Sequence, residues 1–459
     1  MAQNSVSSVM LLVSVLTVGC GDGGSDDPDG SSNDGEGGEG GEGGEGGEGG
    51  VTYWQDVAPI YYQSCGQCHQ AGGIGGFSLL EYDGAVSAAL SAKAATAART
   101  MPPWAVTSDG SCGAFVGSLA LTDAEIATIG NWVDGGTREG TPAQLEVPSL
   151  PGINGAEVVM TPNFLPEIVG GPLSEFDEYR CFLIDELEQA RILTSYDVIP
   201  GNVALVHHVL VFSLDPAATA EGGVNNSEHL AALDAQSPDR LGWPCFGGAG
   251  DGVRESGNVV NWGPGQGVVT FPGDTGVRLG RGTMLVAQVH YNMADASLVG
   301  QSDTTEVHLG YSAEVAREGF FVLPDGFLET LSDDEPAALM PGHASVVYSW
   351  ERSYEELGLE GMPSVDLYGV TPHMHGFGRK LRVTMVDGAS EQCVADVQAW
   401  DFHWQRMYMR NDPIRMRPGS KIRVRCEYDT TSATDPIAPG WGTRNEMCLS
   451  VLYLVPGVG

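Results

Sequence analysis

Val203-Ala-Leu-Val-His-His-Val-Leu-Val-Phe212 is apolar except for one adjacent pair of histidines. Its β-branched texture reads as a strand, and runs of similar texture recur at Met284–His290, Val365–Val370, Leu381–Val386 and Lys421–Cys426. Gly, Pro, Asn and Asp clusters separate them. From about residue 155 onward the chain therefore reads as all-β, and about 300 residues of this pattern suggest two sandwiches in tandem. No fixed-period repeat points to a propeller or a solenoid.

The histidines inside those runs carry chemistry. Neighbours on a strand point to opposite faces, so His207 and His208 can share one metal only at a strand end or a bulge. His373 and His375 are two apart and lie on one face of a strand, which is good chelating geometry. His290 stands in Gln-Val-His-Tyr-Asn, and Met447 in Asn-Glu-Met-Cys. Three imidazoles would make one copper site, while two imidazoles and a thioether would make a second, since imidazole suits both copper oxidation states and thioether favours Cu(I). Taken singly, each group reads as structural; their combination is what argues for metal.

Composition bounds the rest. The chain has 459 residues, 60 acids against 22 Lys and Arg, and a formal charge of −38. That length leaves room for three domains of ordinary size. The acidic balance argues against nucleic acid as a partner. Residues 8–19 form a short apolar run ending at Cys20, and residues 1–20 resemble a bacterial lipoprotein signal that would lipidate Cys20 and anchor an exported chain in the cell envelope. Residues 21–50 hold ten acids and no base, with Glu at every third position from Glu36 to Glu48; they read as a flexible tether. After residue 50 no apolar segment is long enough to span a bilayer.

Residues 51–140 read as a small helical unit. Tyr53 to Tyr62 suits a short helix leading into Cys65, and Thr122-Asp-Ala-Glu125 is a capping box opening the helix Ile126–Val133, which Gly135-Gly136 ends. Cys65-Gly-Gln-Cys68-His69 is the c-type haem attachment pattern, with His69 as the proximal ligand. Met101, in Met101-Pro-Pro-Trp104, offers a second axial ligand, and a His/Met pair suits electron transfer. This unit resembles a small cytochrome c domain, with Trp132 in a packing role.

Together and in order, His207-His208-Val-Leu, Gln288-Val-His290-Tyr, His373-Met-His375-Gly-x-Gly-Arg-Lys and Glu446-Met447-Cys448 resemble the copper type II, ascorbate-dependent monooxygenases. The resemblance implies two jelly-roll-like sandwiches, over residues 155–317 and 318–459, facing each other across a solvent-filled cleft. It implies two copper ions: an electron-relay copper on His207, His208 and His290, and an oxygen- and substrate-binding copper on the catalytic set His373, His375 and Met447. It also implies disulfides Cys181–Cys245 and Cys426–Cys448, which fit an oxidising compartment such as a periplasm. Cys112 and Cys393 are left over, either paired across domains or free.

The expected fold class is thus multidomain: a small all-α cytochrome c-like domain followed by two all-β jelly-roll-like sandwiches. The expected reaction is hydroxylation of a C–H bond of a small organic substrate with O2. The electrons would come from an ascorbate-like donor or a redox protein, or through the one covalently bound haem c to the His207/His208/His290 copper. The alternative is a non-catalytic haem/copper electron-transfer or copper-handling lipoprotein. Peptide-amidating members of the family hold a substrate carboxylate with an Arg, an Asn and a Tyr where this chain has Thr371, Leu449 and Val451, which points to a less polar substrate. Trp404, Tyr408 and Trp441 are candidate pocket aromatics, more simply read as core. His229, His308, His343 and His403 read as structural or surface residues.

Overall fold

In a computed structural model, the residues described are 50–71, 75–103, 106–107, 109–147, 152–168, 176–264, 266–324, 339–402, 404–440 and 444–458. The export segment with Cys20, the tether up to residue 49, Trp104, His403 and Trp441 lie outside them.

Alternating and continuous apolar runs form four sheets. A five-stranded sheet orders Trp243–Pro244, Asp177–Glu186, Met284–Asn292, Val206–Leu214 and Gly257–Trp262. A six-stranded sheet is built around Arg191–Ile199 and Glu306–Ser312. One four-stranded sheet orders Phe320–Val322, Leu449–Pro456, Val365–His373 and Tyr408–Met416. The other orders Val346–Ser353, Ser420–Tyr428, Gly378–Asp387 and Ser390–Val397. All of these pairings are antiparallel except the short Arg317–Glu318 with Thr275–Leu279.

The strand Leu449–Pro456 explains how the sheets stack. Leu452 and Leu454 pack into one core with Leu381, Val383, Ile422 and Val424. Tyr453 and Val455, on its opposite face, join a second core with Tyr196, Val209, Val211 and Val289. A strand buried on both faces reads as a near-continuous apolar run, and Leu449-Ser-Val-Leu-Tyr-Leu-Val455 is interrupted only by Ser450.

The expected fold class needs correction. The protein is mostly β, with four short α-helices among the described residues: Ala58–Ser64, Tyr82–Ala97, Asp123–Asp134 and Asn226–Asp234. No sizeable all-α cytochrome c-like domain stands apart from the sheets. Between the second and third helices the chain runs onto the C-terminal sheets, where Val106 bridges to Val397 and Phe115 to Arg410. Val106, Cys112 and Phe115 are buried in the same core as Leu381 and Leu452. The physical reason is apolar burial: three helices this short leave Val106 and Phe115 without a core of their own.

Local signals in that segment hold well. Thr122 caps Asp123–Asp134 with both arms of a capping box, and Gly136 follows its end at φ 84°. Trp132 is fully buried beside Tyr53. No described helix is long and apolar enough to cross a membrane.

Candidate metal centre

The first histidine set comes from two neighbouring strands of the five-stranded sheet. His208 on Val206–Leu214 is directly opposite His290 on Met284–Asn292, and the register shifts between Val206 and His208. That bulge lets two sequence neighbours face one point. The Nδ1 atom of His208 lies 3.4 Å from Nδ1 of His207 and 3.3 Å from Nδ1 of His290. Three ring nitrogens of one kind turned toward one another suit a cation, and this trio fits a metal.

The tautomer of His290 is set from behind. Its Nε2 is 3.0 Å from Asp177 Oδ1, which also accepts from Asn292 Nδ2 at 2.7 Å. A proton held on Nε2 toward the carboxylate leaves the Nδ1 lone pair for a metal. Tyr179 stacks on the His290 ring at 4.0 Å. Burial drives His208 well below the ordinary histidine pKa, with His290 and His207 adding to the effect.

The second set lies at the end of a strand in the sheet made of Phe320–Val322, Leu449–Pro456, Val365–His373 and Tyr408–Met416. His373 is the last residue of its strand, and His375 follows two residues on. His373 Nδ1 is hydrogen-bonded to Gln405 Oε1, and His375 Nδ1 donates to the Asn445 carbonyl at 3.0 Å. Both rings therefore keep Nε2 for a ligand. Burial lowers His373 to about 4 and His375 to about 3, so both are neutral and ligand-ready near pH 7.

Glu446 fixes the loop around this set. Its carboxylate accepts from the N–H groups of His375 (3.0 Å), Phe377 (2.7 Å) and Met447 (3.1 Å). Burial pushes it up to about 7 while those donors pull the other way. Cys426–Cys448 ties the strand Ser420–Tyr428 to the residue after Met447, and Cys181–Cys245 braces the five-stranded sheet.

The two sets share one cavity of about 330 Å3, lined by His208, His373, His375 and Met447. Thr371, Leu449 and Val451 line it too. The Phe402 ring meets an imidazole of each set, its centroid 4.4 Å from that of His207 and 5.5 Å from that of His375. Of the candidate aromatics, Tyr408 belongs to the core and packs edge-on to Phe115, and neither it nor Trp404 lines this cavity. His229 and His308 have local partners, Asp251 O and Glu306.

Cys65 and Cys68 are unbonded, whereas the other described cysteines are paired, Cys112 with Cys393 included. Cys65, Cys68 and His69 do not converge on one point as a zinc site would require. His69 Nδ1 is buried without a hydrogen-bond partner. Met101 lines a cavity of about 590 Å3 with Leu121 and Ile126, and His69 is not part of that lining.

Asp177, Gln405, Glu446 and Phe402 escaped the sequence reading. Glu446 had a signal in its place beside Met447; Asp177, Gln405 and Phe402 had none, because each meets its histidine across sheets or loops.

Residues 350–457 match the family described as copper type II ascorbate-dependent monooxygenase, C-terminal domain. Similar proteins include DBH-like monooxygenase protein 1 of Mus musculus, 25% identical over 56% of this chain and 40% of that one. Dopamine beta-hydroxylase of Homo sapiens is 24% identical over 56% of this chain and 40% of its own. Tyramine beta-hydroxylase of Caenorhabditis briggsae is 23% identical over 56% and 41%. The chain spans less than half the length of these relatives. The infectious bursal disease virus VP2 subviral particle superposes with a TM-score of 0.17 at 10% identity, over 65% of this chain and 71% of that one, which says nothing about the fold. The segment holding His373, His375 and Met447 is thus similar to the C-terminal domain of copper monooxygenases, and the relatives support an oxidoreductase family of that kind at low identity.

Proposed function

We propose that this protein is a copper-dependent monooxygenase that hydroxylates a C–H bond of a small, weakly polar organic substrate. The observation that carries the reading is the pairing of two unlike ligand sets around one cavity, in a chain whose C-terminal part matches the copper family. His207, His208 and His290 would hold one copper through Nδ1. His373 and His375 would hold the other through Nε2, with the Met447 thioether. Bound there, copper would supply one-electron redox chemistry with O2.

The chain's own residues do the rest. Asp177 keeps His290 in the ligating tautomer, Gln405 and the Asn445 carbonyl do the same for His373 and His375, and Glu446 fixes the backbone that presents His375 and Met447. Thr371, Leu449 and Val451 are uncharged parts of the cavity wall, which Arg406 and Glu255 also line. Overall, one oxygen atom enters the C–H bond and the other leaves as water, with two electrons and two protons from an ascorbate-like donor or redox protein.

Two finer readings belong with this one. Cys65 and Cys68 would form thioethers to a haem whose iron His69 ligates, giving the chain a one-electron carrier of its own. Cys20 would carry lipid and hold the exported chain at a membrane of the cell envelope.

The test is oxygen uptake by copper-loaded protein with a reductant, across a panel of small aromatic and aliphatic substrates. Uptake coupled to hydroxylated product, and its loss by at least about 100-fold in Met447→Ile with two coppers still bound, is expected. Copper binding without any product would replace this reading with a non-catalytic copper-handling role.

A further inference from the structure

The carboxamides that line the cavity divide by what their ends do. Gln266 and Gln405 are spent on the protein. Gln266 receives the Met407 N–H at 2.8 Å and donates to the Asn261 carbonyl at 3.2 Å. Gln405 bonds His373 and donates to the Phe402 carbonyl at 2.8 Å. Asn258, Asn261 and Gln288 differ: each keeps one buried polar atom without a hydrogen-bond partner, Oδ1, Nδ2 and Oε1 respectively. Gln288 is fully buried, and its Nε2 is fixed on the Gly248 carbonyl at 2.6 Å, which makes Oε1 the end left over. Asn261 is only 4% exposed. An unmatched buried donor or acceptor is costly, and here the leftover atoms belong to the wall of one cavity.

Strand register gathers these residues beside the first histidine set. Leu210 is opposite both Asn261 and Gln288, while His208, two residues earlier, is opposite His290. Alternation puts both rows on one face of the five-stranded sheet, about 7 Å apart. Asn258 is opposite Phe212, which also lines the cavity. The C-terminal part of the chain contributes Met447, Leu449 and Val451 to the same space. Glu255 and Arg406 each have a partner in the protein: Glu255 Oε1 receives the Ala249 N–H at 2.6 Å, and the Arg406 guanidinium lies 6.0 Å from the Tyr408 ring centroid.

We propose that Asn258, Asn261 and Gln288 form a specificity subsite for an uncharged hydrogen-bonding group of the substrate, a hydroxyl or a carboxamide, whose apolar body lies toward Met447, Leu449 and Val451. The proposal rests on the monooxygenase reading above and narrows its substrate. Two leftover acceptors and one leftover donor call for a group that both donates and accepts. A hydroxyl and a primary carboxamide do so, whereas a carboxylate only accepts and an ammonium only donates. Either ion would also exchange its hydration for neutral amides.

The test uses the full chain loaded with Cu(II) and probes that share a phenyl body: benzyl alcohol, benzamide, benzoate and benzylamine. Calorimetric titration without reductant reads binding apart from turnover. The alcohol and the amide are expected to bind at least about tenfold more tightly than either ion. Asn261→Leu, of similar size, is expected to weaken the neutral probes by about tenfold and the ions by less than about threefold, whereas a merely structural defect weakens all alike. Asn261→Asp, which adds a carboxylate, is expected to move the preference toward benzylamine. Equal binding of neutral and charged probes, or binding of none, overturns the subsite and leaves the monooxygenase reading to its own oxygen-uptake test. Selectivity for neutral probes in a protein that makes no hydroxylated product supports the subsite and overturns that reading. Unchanged selectivity in Asn261→Leu overturns the role of Asn261. If Asn261→Leu does not fold, Asn258→Leu and Gln288→Met carry the comparison: they must narrow the gap between neutral and charged probes, or the proposal falls.

Discussion

Asp177 shows what a residue outside the ligand sets contributes. It sits opposite Asn292 in the register of Asp177–Glu186 with Met284–Asn292, and it receives both Asn292 Nδ2 and His290 Nε2. Replacing it leaves the Nε2 proton of His290 without an acceptor and frees the ring to take the other tautomer. Asp177→Ala is therefore expected to weaken copper binding at the His207/His208/His290 set by about 10–100-fold, with the His373/His375/Met447 set unchanged. Competition with a chromophoric chelator reads the two affinities; equal weakening of both sets would show a global defect instead. Nothing in the local sequence marks Asp177, whose role depends on a strand more than a hundred residues later.

Among elements, the strand Leu449–Pro456 carries the most. It begins two residues after Met447, pairs with the strand ending at His373, and is buried on both faces. Leu454 is fully buried in the core of the two four-stranded sheets. Leu454→Ala is expected to cost about 2–5 kcal/mol, read as a lower denaturation midpoint with an unchanged slope. A loss under about 1 kcal/mol would mean that the core closes over the gap. Elements of this kind were legible as strands from composition. The adjacency of His207 and His208 even demanded a bulge or strand end, and the register shift supplies it. What periodicity could not give was which sheets stack, because a strand apolar on both faces has no preferred side.

For the whole molecule, the strap from Val106 to Phe115 decides the architecture. Cys112–Cys393 closes a loop with a sequence separation of 281, and bridges at Val106–Val397 and Phe115–Arg410 lie on either side of it in sequence. The helices keep a core of their own around Tyr53, Ile129 and Trp132, while the strap between the second and third helices is fastened to the C-terminal sheets. Replacing both cysteines with serine is expected to lower stability by about 2–5 kcal/mol. Limited proteolysis should then cut near residues 106–116 before the sheets. Unchanged protease resistance would mean that the apolar contacts of Val106 and Phe115 hold the strap alone.

Sequence by itself determined the chemistry available: five imidazoles and a thioether in a characteristic order, a C-x-x-C-H turn, and a β-rich C-terminal part. These are matters of residue type and short spacing, which local physics makes readable. Only the tertiary structure decided that Met101 lines a cavity whose lining lacks His69, that the strap between the second and third helices is fastened to the C-terminal sheets, and that the Phe402 ring meets an imidazole of each ligand set. Each of those depends on contacts between residues far apart in the chain, where burial and backbone packing choose among partners that the sequence leaves equivalent.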